Sequence, residues 1–115
     1  MDKRILLLIF DSWNKPIVFV DTDHVIRYMN KPARRNYAKW GDVVGKSLLD
    51  CHNEQSREII KRSLVELTDG SREVEIVNSA KHRVYMRGVK DEKGELIGYY
   101  ERYDPPVIKD SRKDG

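Results

Sequence analysis

Apolar residues change their spacing several times along this chain, and each change marks an element. Leu6, Ile9, Phe10 and Trp13 recur at helical intervals over residues 3–14, opposite the polar positions Asp2, Lys3, Arg4 and Asp11. Leu7 and Leu8 widen that apolar face beyond what one packed side needs. Residues 17–20 and 25–29 are β-branched and aromatic runs, and Asp21, Thr22, Asp23 and His24 between them are turn formers. They predict a hairpin with strands 17–21 and 25–29. Asn30 then caps a short helix over 31–38, with Pro32 tolerated in its first turn and Ala33, Tyr37 and Ala38 available to pack.

A loop follows, with a single helical turn expected near residues 42–44. The clearest helix is predicted over 54–68. Asn53 caps it, Glu54 suits its positive end, and Ile60, Leu64 and Leu67 form its apolar line. Glu58 and Arg62 make a pair on its wet side, and Gly70 ends it. Three alternating segments, 72–77, 82–90 and 96–103, read as strands, the last two joined at Asp91, Glu92, Lys93 and Gly94. Alternation with one wet face predicts an antiparallel sheet covered on one side. Pro105 and Pro106 stop the sheet, and residues 105–115 read as a flexible tail.

Composition narrows the possibilities. With 115 residues the chain makes one domain. Its 22 basic and 19 acidic residues are mixed along the sequence, which argues against a nucleic-acid-binding stripe. Cys51 is the single cysteine, so no intrachain disulfide forms, which suits a reducing compartment. Residues 5–10 are the longest apolar run, far short of the roughly 20 residues that span a bilayer. The expectation is a cytoplasmic protein with no membrane and no nucleic-acid partner.

Four short segments in order resemble the PAS superfamily over residues 12–104. They are Pro16-Ile17-Val18-Phe19-Val20-Asp21, Ile26-Arg27-Tyr28-Met29-Asn30, Val44-Gly45-Lys46-Ser47, and Asp91-Glu92-Lys93-Gly94-Glu95-Leu96-Ile97-Gly98. The resemblance implies an α+β fold: a five-stranded antiparallel sheet flanked by helices, here preceded by an N-terminal amphipathic helix. Residues 1–14 would be that helix, 15–104 the PAS domain and 105–115 the tail. It also implies a sensor in signal transduction, of the stand-alone bacterial or archaeal type, acting in transcriptional or two-component regulation. A narrower likeness joins Cys51, His52 and Ser56 to a Cys-His-Pro-Pro-x-Ser segment of one PAS subgroup, from which Asn53 and Glu54 depart.

PAS domains cup a small-molecule pocket, and the candidates to line one here are Tyr28, Cys51, His52, Met86 and Tyr100. Cys51, His52, Met86 and His82 are also chemically competent haem ligands, and Cys51 with His52 make a haem-based gas or redox sensor the sharper alternative. The bland alternative is a small buried thiol beside a local polar contact. Cys51 lacks the surroundings of a flavin photosensor's reactive cysteine, which argues against flavin. Adjacent Cys51 and His52 without a spaced partner make a poor metal site, so none is expected. Arg87 falls on the opposite strand face from Met86 and reads as solvated. No phosphate-binding loop or catalytic constellation stands out, so no enzyme is expected. Leu6, Ile9, Phe10 and Trp13 are the interface candidates. A homodimer or a signalling partner would cover them, and a ligand-free structural dimerisation module is a further alternative.

Overall fold

Asp2, Asn30 and Asn53 each cap a helix through the side chain in the computed structural model, which describes residues 2–106. Their carboxylate or amide oxygens accept from the backbone N–H of Arg4, Ala33 and Ser56. The helices they start are α1 (Lys3–Ser12), α2 (Lys31–Asn36) and α3 (Glu54–Thr68). The strands are β1 (Val18–Asp21), β2 (Ile26–Met29), β3 (Glu73–Asn78), β4 (Arg83–Lys90) and β5 (Leu96–Asp104). All neighbours pair antiparallel, in the order β2-β1-β5-β4-β3.

Local departures from the expected pattern have local causes. The helix expected over 31–38 ends at Asn36, and a 3₁₀ turn over Ala38–Trp40 follows, leaving Ala38 exposed. The turn expected at 42–44 does not form. Gly41 and Gly45 flank it with positive φ, breaking helical continuity. A second 3₁₀ turn forms instead over Leu48–Cys51, where the Ser47 hydroxyl accepts from the Leu49 N–H. On α3, Glu58 meets Lys61 at 3.8 Å rather than Arg62. The expected tail lies outside the described residues from 107 onward.

The sheet has two unlike faces. Val18, Val20, Ile26, Met29, Val84, Met86, Tyr99 and Glu101 turn inward, where Ala33, Tyr37, Leu48, Ile60 and Leu67 cover them. Each large side chain fully buried there contributes about 1.5–3 kcal/mol. Phe19, Tyr28, Tyr100, Arg87 and Glu73 share the outer face through direct cross-strand pairing. The centre of the sheet depends on Gly98. A Cβ there would lie 2.3 Å from the Val20 carbonyl oxygen, so only glycine lets β5 approach β1 in this register. That register sets Tyr99, Glu101 and Tyr103 on the inner face.

α1 sits apart from the core. No residue of it is buried, and its contact with the outer face is made by Phe10, whose ring lies 6.1 Å from that of Tyr28. Two polar ties hold its end. Asp11 accepts from the Tyr28 hydroxyl and the Lys31 N–H, both at 3.2 Å. Asn30 donates to the Phe10 and Lys15 carbonyls at 2.8 and 3.0 Å.

Candidate functional site

Two spaces flank the sheet, one on each face. The inner one is a chamber of about 170 Å³ between α3 and strands β3 to β5. Ile59, Ile60, Ile76 and Val84 form apolar walls, while Tyr37, His52, Ser56, His82, Glu101 and Tyr103 supply polar atoms. Glu101 is only 5% exposed. Its Oε2 accepts from the Tyr103 hydroxyl at 2.9 Å. Its other oxygen makes no hydrogen bond among the described residues and is not sealed off, so it borders the open space of the chamber. Burial pushes the Glu101 carboxyl above the usual carboxylate range, while the Tyr103 hydroxyl and nearby His52 pull it back. Burial and the Glu101 charge together raise the Tyr37 and Tyr103 phenols.

The outer space is a groove of about 1120 Å³ between α1 and the sheet. Leu7, Phe10, Trp13, Phe19, Tyr28 and Tyr100 give it an apolar lining. Its edge carries Arg102, whose guanidinium bonds Glu73 at 3.0 Å and Asp104 at 2.6 Å and stacks 4.5 Å from the Tyr85 ring.

The residues singled out from the sequence fall in three places. His52 lines the inner chamber, with Nδ1 2.9 Å from the Leu48 carbonyl oxygen. Met86 faces inward but is fully enclosed by the core, and Cys51 packs half-buried against that core. Neither is among the chamber's lining residues. Burial, with Asp50 beside it, raises the Cys51 thiol and keeps it protonated. Tyr28 and Tyr100 line the outer groove, on the opposite face from His52. Arg87 is outward as read, and it meets Glu73 at 3.1 Å. Of the interface residues, Phe10 and Trp13 border the groove while Leu6 and Ile9 do not line it, and all four are exposed. Glu101, Tyr37 and Ser56 were not singled out for the site. The available signal was the two-residue spacing of Tyr99, Glu101 and Tyr103, which sets a carboxylate on a face otherwise packed.

A porphyrin does not fit this arrangement. A space near 150 Å³ holds a benzene-sized molecule, and the chamber is close to that size. Cys51 and His52 do not converge on one opening, since His52 lines the chamber and Cys51 does not.

Comparison with known proteins agrees with the topology. The family model for the PAS domain matches residues 6–103. The chain belongs to the PAS domain family. Members of that family serve as sensory modules in signal transduction and are generally not catalytic. Among solved structures, this PAS domain is similar to a C-terminal domain from Streptococcus mutans, at 20% identity and a TM-score of 0.74, covering 91% of this chain and 85% of that one. A PAS domain from Colwellia psychrerythraea aligns at 15% identity and 0.65, covering 89% and 94%. A sensory box sensor histidine kinase from Vibrio cholerae aligns at 17% and 0.63, covering 89% and 90%. A search of curated proteins found no match. No described helix is long and apolar enough to cross a membrane.

Proposed function

We propose that this PAS domain senses a small molecule in the inner chamber and reports it through β5 to α1, which joins a second copy of the chain. The arrangement of β5 carries this reading. Glu101 and Tyr103 face the chamber, while Tyr100 and Arg102, their neighbours on the same strand, face the groove beneath α1. Lys15, just beyond α1, donates to the Tyr103 carbonyl oxygen at 3.3 Å. A shift of β5 on filling the chamber is therefore felt at the foot of α1. Such a ligand must bind the two states with different affinity.

A second copy suits α1 because the helix keeps an apolar face, Ile5, Leu6, Leu8 and Ile9, that its own domain leaves exposed. Trp13, just past the end of the helix, is 54% exposed and borders the groove instead. Sedimentation velocity tests the assembly. The wild-type chain is expected to run as a dimer and the Leu6→Asp/Ile9→Asp variant as a monomer that still unfolds cooperatively, since both positions are exposed. A wild-type chain that stays monomeric at its highest soluble concentration removes α1 from the output path.

A further inference from the structure

We infer that the inner chamber recognises a small organic ammonium ion, with Glu101 as its counter-ion; this deepens the sensory reading by naming the ligand class. The first observation is the unshared oxygen of Glu101. A carboxylate that is 5% exposed keeps one oxygen on the Tyr103 hydroxyl and presents the other to the chamber with no protein partner. A buried carboxylate is costly unless paired. No lysine or arginine lines this chamber, whose other ionisable groups are His52, His82, Tyr37 and Tyr103, so a cation that enters it is the partner that would let Glu101 ionise there.

The second observation is the shape of the space. Ile59, Ile60, Ile76 and Val84 wall the side away from the polar groups, which suits a carbon skeleton attached to one charged end. At about 170 Å³ the chamber accommodates a molecule of benzene-like size, about six to eight heavy atoms. A nucleotide is too large to be enclosed in it. Anionic ligands are disfavoured because their charge would stand beside Glu101. Neutral alcohols match the walls but leave the carboxylate uncompensated. Ser56 and His52 border the same space and can accept the remaining ammonium protons.

The test uses the whole chain at neutral pH with isobutylamine and benzylamine as probes, and isobutanol and isobutyrate as the neutral and anionic counterparts. Both amines are expected to give saturable calorimetric binding in the millimolar range or tighter, and a rise in melting temperature. The alcohol and the acid are expected to give neither. Glu101→Gln is expected to weaken amine binding by about tenfold or more, since it removes a charge-assisted hydrogen bond. Ile76→Phe narrows the chamber without touching Glu101 and is expected to block benzylamine more than isobutylamine. Absence of saturable amine binding overturns the inference, as does binding of isobutyrate with equal strength or amine binding unchanged in Glu101→Gln. Those results leave the sedimentation test of α1 intact, so a wrong ligand class is separable from a wrong output path.

Discussion

Asn30→Ala is expected to destabilise the fold by about 3–5 kcal/mol, read as a lower urea midpoint. Asn30 is fully buried and its amide makes four bonds. Oδ1 accepts from the N–H of Ile17 at 2.8 Å and of Ala33 at 3.1 Å. Nδ2 donates to the carbonyls of Phe10 and Lys15. One side chain thus caps α2, fixes the start of β1 and ties down the end of α1. Loss of the cap alone costs about 0.5–2 kcal/mol. The remaining partners are part-buried backbone groups, and each one left unsatisfied adds about 1 kcal/mol or more. Asn30→Ser separates the contributions, because a serine caps α2 but cannot reach the α1 carbonyls. It should recover the cap while leaving amide protons near residues 10–17 fast to exchange. An alanine variant that loses only about 1 kcal/mol would show that the tie to α1 contributes nothing to stability.

The same residue shows why much of the fold was legible. Asn30 with Pro32 two residues on is a local signal, and so are Asn53 and Gly70, which bracket α3 at the expected bounds, Glu54–Thr68. Cap chemistry acts within one turn, and the sequence displays it directly. The 3₁₀ turns were not visible because they follow from tertiary demands. Leu48 is fully buried, and Val25 bridges to Ser47, so the chain between Gly45 and Asn53 is shaped by what it packs on.

The site was harder to read because alternation defines two faces without saying which one the helices cover. Tyr28 and Met86 look equally suited to a pocket. Pairing of Phe19 with Tyr28 puts the tyrosine under α1, while Met86 faces the core. A register irregularity between Phe19 and Val20 further defeats simple counting. Cys51 and His52 drew attention by their chemistry, yet they end a turn whose polar atoms are used locally. Glu101 was overlooked for the opposite reason. A charged residue in a strand ordinarily marks the wet face, and here it marks the chamber.

Glu101→Gln is expected to remove a loss of stability that the wild-type chain undergoes as pH rises. Burial holds the folded carboxyl above its ordinary value of 4.5, so the folded state keeps the proton that the unfolded chain releases. Below that ordinary value both states are protonated, and the contribution of the group is fully present. As pH rises above it, the unfolded chain ionises first, and wild-type stability falls by up to about 1.4 kcal/mol per pH unit until the folded carboxyl also ionises. Glutamine has no proton to lose and its amide oxygen still accepts from Tyr103. The two proteins should therefore be similar in acid and diverge steadily above it, with the glutamine variant the more stable at pH 8. Asp21, Glu73 and Asp104 are held low by their partners and lose stability as pH falls, but they are common to both proteins and cancel in the difference. Urea denaturation of both chains across this range measures the divergence. Parallel curves would mean that Glu101 is ionised and already compensated, leaving no role for a cation in the chamber. An ammonium ligand that pairs with the ionised form should shrink the divergence at saturation, because it stabilises the wild-type chain alone.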